Sequence, residues 1–138
     1  MEAPAPNERL TVPTRATRRP GFPRKRILLV DDQQSVRQAI ALLLSLDNHT
    51  VVEAANGTEA LALFNPGGFD LVITDFQMPQ MNGNELAAKI KLAWPPQPVL
   101  MITAYAEQLE GSDNPVDAQL DKPFQLEDLR RVMTKLLS

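Results

Sequence analysis

From Lys25 onward, short unbroken apolar runs alternate with segments whose apolar residues recur every three or four positions. RILLV (Arg26–Val30) is too short for a helix and too uniformly apolar for a strand with one wet face, so it predicts a strand buried on both sides. QSVRQAIALLLSL (Gln34–Leu46) carries Val36, Ile40, Leu43 and Leu44 at helical spacing. HTVVEA (His49–Ala54) predicts a second strand, after which Asn56-Gly57 turns the chain. TEALALF (Thr58–Phe64) predicts a helix ended by Pro66-Gly67-Gly68, and DLVIT (Asp70–Thr74) a third strand. Asn84 to Leu92 predict a helix closed by Trp94-Pro95-Pro96. PVLMITA (Pro98–Ala104) and AQL (Ala118–Leu120) predict the fourth and fifth strands. LEDLRRVMTKLL (Leu126–Leu137) predicts a last amphipathic helix with Leu126, Leu129, Val132, Met133 and Leu136 on one face.

Strands and helices in this alternation imply an α/β fold: a parallel sheet, doubly wound, with helices on both faces. In such sheets, sites form outside the carboxyl ends of the strands. The residues at those ends are therefore the ones to read. The first strand runs into Asp31-Asp32, the third into Asp75, the fourth into Thr103-Ala104 and the fifth into Asp121-Lys122-Pro123. Singly, each has an ordinary explanation: an Asp after a strand caps a turn or a helix, and a lone Thr or Lys there is a solvated surface group. Together Asp31, Asp32, Asp75, Thr103 and Lys122 place three carboxylates, a hydroxyl and an ammonium on one edge. Clustered carboxylates repel unless a cation joins them. A hard divalent ion suits the set, and Mg²⁺ favours a shallow site of carboxylates, waters and a phosphoryl oxygen. Such a site fits phosphoryl transfer, with Asp75 as nucleophile, Lys122 neutralising charge and Thr103 bonding a phosphoryl oxygen.

Composition narrows the alternatives. The 138 residues suit one domain, and the absence of cysteine removes disulfides and thiol chemistry. No apolar run is long enough for a membrane span and no signal sequence is visible, so the cytoplasm is the expected compartment. The net charge of −3 conceals an asymmetry: residues 1–26 sum to +5 and residues 27–138 to −8. Five prolines and few apolar residues make residues 1–24 a disordered basic arm, either a solvated extension or a docking arm for an acidic partner. His49, the sole histidine, sits at a strand start and is expected at the surface. Met78 and Met81 are expected to pack the loop after the third strand.

LLVDDQQ, DLVITDFQMPQMNG, MITAYA and LDKPF, in this order, resemble the receiver domain of bacterial two-component response regulators, over about residues 25–138. The resemblance implies a five-stranded flavodoxin-like sheet of order 2-1-3-4-5. It implies phosphorylation of Asp75 by a histidine kinase or phosphotransfer protein, followed by binding of a downstream protein target or by phosphorelay. Mg²⁺ is expected on Asp32, Asp75 and the backbone carbonyl of Gln77, with Asp31 acting largely through water. Lys122-Pro123 is expected to be cis. Two departures stand out. Gln119 replaces the family's usual switch aromatic, leaving Tyr105 as the nearest, and the Thr103–Lys122 interval of 19 residues is short for the family. With Gly111 and Pro115 inside that interval, a shortened or mobile fourth helix is expected rather than a long one over residues 106–116.

Two relatives in chemistry fit less well. A flavodoxin-type FMN protein needs a phosphate-binding first loop, and Asp31-Asp32 repels phosphate. A haloacid-dehalogenase-type phosphatase has a second Asp two residues after its nucleophile, where this chain has Gln77. The alternative from a different class is a receiver-like interaction scaffold that works without phosphorylation. No segment beyond the last helix offers a DNA-binding module, so a stand-alone receiver without direct DNA contact is expected.

Overall fold

The computed structural model describes residues 23–104 and 115–137. Five parallel strands form one sheet in the order β2-β1-β3-β4-β5: β1 Arg26–Val30, β2 Thr50–Ala54, β3 Leu71–Asp75, β4 Val99–Thr103 and β5 Ala118–Asp121. Four described helices alternate with them: α1 Gln34–Leu46, α2 Gly57–Leu63, α3 Gly83–Ala93 and α4 Leu126–Leu137. The expected α/β architecture and strand order are thus present. The shortened helix expected between β4 and β5, and Tyr105, lie outside the described residues.

Both faces of the sheet are covered, which is why its strands read as continuous apolar runs rather than as alternations. Ile27, Leu29, Ile73, Leu100 and Ile102 meet Ile40 and Leu44 of α1 and Leu129 and Met133 of α4. Leu28, Val30, Val72 and Val99 meet Ala60 of α2 and Leu86, Ala87 and Ile90 of α3 on the other face. All five residues of β3 and all five of β4 are buried. The strands therefore cannot slide: a shift of one residue would exchange the two cores' side chains along the whole strand.

Element ends moved by a residue or two where capping chemistry outweighed the apolar pattern. Asn56-Gly57 is not a free turn; the Asn56 side chain accepts the Glu59 N–H at 2.7 Å and starts α2 at Gly57. Asn82 and Glu85 form a reciprocal capping box, each side chain accepting the other's backbone N–H at 2.9 Å, so α3 begins at Gly83. At the end of α1, Asn48 adopts φ 66°. The His49 N–H then returns to Leu44 O at 3.3 Å and the Asn48 N–H to Ser45 O at 2.9 Å, a Schellman closure.

That closure corrects the expectation for His49. It is buried, not a surface residue, because the turn folds it under β1, where its Nδ1 accepts the Lys25 N–H at 2.9 Å. Met78 is buried and Met81 half-buried against the α2–α3 side of the core, as expected. Trp94 ends α3 as its C-cap, with its N–H on Ile90 O.

Asp47, at the end of α1, is buried and receives two hydrogen bonds from Arg130 of α4, at 2.8 Å from Nε and 2.7 Å from Nη2. The planar guanidinium matches the carboxylate in a bidentate fork and ties the two helices on this face together. Replacing one partner leaves the other's charge uncompensated. Arg130→Met is expected to lower the unfolding free energy in urea by about 3 kcal/mol. A loss below about 1 kcal/mol would place the pair among ordinary surface ion pairs instead.

Candidate functional site

The parallel register brings the strand ends to one level. Val30 lies opposite Ala54 and Thr74, Asp75 opposite Ile102, and Thr103 opposite Asp121. Asp31, Asp75 and Lys122 are consequently neighbours, although 44 and 47 residues of sequence separate them in turn. One carboxylate oxygen from each of Asp31, Asp32 and Asp75 lies within 4.8 Å of the others. Lys122 Nζ donates to Asp75 Oδ1 at 2.9 Å and stands 4.0 Å from Asp31 Oδ2. Lys122-Pro123 is cis, as the resemblance implied.

The three carboxylates differ in surroundings. Asp31 is 2% exposed, Asp75 9% exposed, and Asp32 faces solvent. Burial raises the Asp31 pKa above the usual carboxylate value; the Gln33 N–H, donating to its Oδ1 at 2.9 Å, opposes this, while Asp75 adds to it. Arg37 holds the Asp31 backbone from behind, donating from Nη1 to its carbonyl at 2.7 Å and from Nε to Glu53 at 3.0 Å.

An open cleft of about 480 Å³ lies over the cluster, lined by Asp32, Gln33, Asp75, Gln77, Met78, Pro79, Ala104 and Lys122. Asp32, Asp75, Gln77 and Lys122 thus stand together as the sequence suggested, with Asp31 beneath them. Thr103 is placed less directly. It ends β4 with its side chain buried and its carbonyl accepting the Lys122 N–H at 3.0 Å, and its neighbour Ala104 lines the cleft. Gln33 and Pro79 were not singled out from the sequence, and Met78 was expected only to pack its loop. The Gln33 contact was readable in principle, since an Asp side chain commonly caps the N–H two residues on.

Among the described residues, three carboxylates face the Lys122 ammonium, and burial raises the pKa of the deepest, Asp31. Oxygen donors of this hardness, open to water on one side, fit Mg²⁺ better than softer metals.

A family model of the response regulator receiver domain matches residues 27–134. The chain belongs to this receiver domain family. "Response regulator MprA" of Mycobacterium sp. (strain KMS) is 36% identical over 115 residues, covering 81% of this chain and 50% of that protein. The receiver chain therefore spans about half the length of the curated relatives it matches. Among solved structures, the response regulator protein TrrA of Thermotoga maritima, in complex with Mg²⁺-BeF, is 33% identical with a TM-score of 0.76, over 82% of this chain and 99% of that one. The chemotaxis protein CheY4 of Vibrio cholerae is 32% identical with a TM-score of 0.75, over 83% of this chain and all of that one. No helix among the described residues is long and apolar enough to cross a membrane.

The raised Asp31 pKa fixes a sign for stability in this receiver. A carboxyl whose folded pKa exceeds its unfolded one costs stability when ionised; the cost fades as pH falls through the folded value and is gone below the unfolded one. Asp31→Asn keeps an acceptor for Gln33 and removes the charge. In chelator, the variant is expected to resist urea better than wild type at neutral pH, with the difference closing as the pH is lowered into the carboxylate range. A variant less stable than wild type at neutral pH would contradict this account.

Proposed function

We propose that this receiver accepts a phosphoryl group on Asp75 from a histidine kinase or phosphotransfer protein and signals through the change in its surface, by partner binding or phosphorelay. The observation that carries the reading is the Lys122 ammonium 2.9 Å from Asp75 Oδ1 within a cluster of three carboxylates, beneath a cleft open to a donor. A structural ion pair needs one carboxylate. Three around one ammonium leave an excess of negative charge that a bound cation would offset.

Asp75 supplies the nucleophilic oxygen. It attacks phosphorus as the donor's P–N bond breaks; the imidazole nitrogen keeps the bond's electrons and takes a proton from solvent, leaving an acyl phosphate on Asp75. Asp31, Asp32, Asp75 and the Gln77 carbonyl would hold Mg²⁺, whose chemistry in the site is neutralisation of phosphoryl oxygens. Lys122, a mobile point charge on a flexible stem, shifts from the Asp75 carboxylate to a phosphoryl oxygen as negative charge moves outward. Thr103, ending the adjacent strand, provides the hydroxyl for another oxygen. The chemistry is directed at the protein's own side chain; metabolism of a separate substrate forms no part of the proposal.

The output surface departs from the family pattern at Gln119, half-buried in β5 opposite Met101. The proposal places the protein in the cytoplasm and its downstream contact with a protein target rather than with DNA. Residues 1–24 are proposed as a basic arm attached to the receiver at residue 25.

Intact mass after incubation with phosphoramidate and Mg²⁺ tests the reading. One base-labile phosphoryl adduct is expected in wild type, lost on chelation of Mg²⁺ and absent from Asp75→Ala. No adduct on folded wild type, with phosphoramidate or with a phosphorylated kinase domain as donor, would favour a scaffold working without phosphorylation.

A further inference from the structure

The Asp75 main chain is held by two groups outside the carboxylate cluster. Thr74, fully buried in β3, donates its hydroxyl to the Asp75 carbonyl at 2.9 Å. Gly83, the first residue of α3, lies against the same carbonyl: a Cβ built on it would stand 2.5 Å from Asp75 O and 3.1 Å from Phe76 Cα. Gly83 is not among the residues with positive φ, so it is the missing Cβ, not backbone freedom, that the position requires. The two nearest obstructing atoms are backbone at the buried end of β3 and cannot swing aside, unlike the third, the flexible Met101 Cε at 3.2 Å.

The Gly83 N–H also donates to Phe76 O at 2.8 Å, and the Asn82–Glu85 capping box fixes the helix start beside it. Residues 76–83 therefore form a loop whose two ends meet beside the Asp75 carbonyl. This loop carries Gln77, Met78 and Pro79 of the cleft wall. Any displacement of the α3 N-terminus is transmitted to Asp75 and Gln77 together.

We propose that Gly83 and Thr74 are positioning residues for the acceptor, fixing the main chain so that the Asp75 carboxylate and the Gln77 carbonyl keep the spacing that cation and phosphoryl group require. The inference rests on the reading of Asp75 as acceptor. Fitting a methyl group at position 83 requires a shift of roughly 1 Å, and misplacement of that size at a reacting centre costs about 100-fold in rate. The expected result for Gly83→Ala is therefore an about 100-fold slower phosphoramidate reaction at saturating Mg²⁺. Loss of a supporting contact commonly weakens metal binding about tenfold or more, and the same is expected for Mg²⁺ titrated against amide NMR shifts. Thr74→Val, which keeps the shape and removes the hydroxyl, is expected to show a smaller loss of both, and Thr74→Ser to restore them.

Arg130→Met, destabilised at a site remote from the cleft, is the control and is expected to keep wild-type rate and Mg²⁺ affinity when folded. Folded Gly83→Ala with both values unchanged would overturn the inference, as would equal losses in Arg130→Met. If Gly83→Ala does not fold, Thr74→Val decides, and its equality with wild type counts against the proposal. A wild type that forms no adduct defeats the acceptor reading alone; the Mg²⁺ titration still reads the positioning, and unchanged affinity in both variants would sink it.

Discussion

The ion pair between Lys122 and Asp75 is the interaction on which the site depends. Three carboxylates gathered at one sheet edge repel one another, and the ammonium at 2.9 Å is the charge in this cleft that opposes the repulsion. It reaches Asp75 because β5 ends beside β4, and β4 beside β3, with their carboxyl ends level. Separate the strands or slip their register, and the lysine becomes an ordinary surface cation while the carboxylates become turn residues.

The scaffold protects that register from both faces. Two apolar cores grip β3 and β4, the two strands that carry Asp75 and Thr103. The first is closed by α1 and α4, whose ends are joined through Asp47 and Arg130. The second is closed by α2 and α3, and α3 docks end-on against the Asp75 carbonyl. Rigidity is thereby concentrated under the Asp75 carboxylate, whereas the cleft above it is open. That division suits the proposed transfer, in which a large donor would reach a small, accurately placed carboxylate.

Burial gives the three carboxylates different parts. Asp31, deepest and held above its usual pKa, stores unfavourable charge that a cation would relieve. Asp32 stays in water, and Asp75 sits between them with the lysine. The sequence presents Asp31 and Asp32 as equivalent neighbours; a change of side-chain direction at the end of β1 makes them unlike.

The sequence by itself determined the elements and their class. Continuous apolar runs can be stable only as strands covered on both faces, and their alternation with helical patterns implies a parallel sheet whose ends gather Asp31, Asp32, Asp75, Thr103 and Lys122. Gln77 came from resemblance, and the cleft includes it. Tertiary structure decided what depends on contacts between distant residues. His49 looked like a surface residue because nothing local shows that a Schellman turn carries it beneath Lys25. Thr103 is buried at its strand end with Ala104 lining the cleft, a matter of side-chain direction that strand position leaves open. In the sequence Gly83 appeared only as the last residue of the motif DLVITDFQMPQMNG. Only the packing of α3 onto β3 shows that the position excludes a Cβ, because the obstructing atom belongs to Asp75 itself.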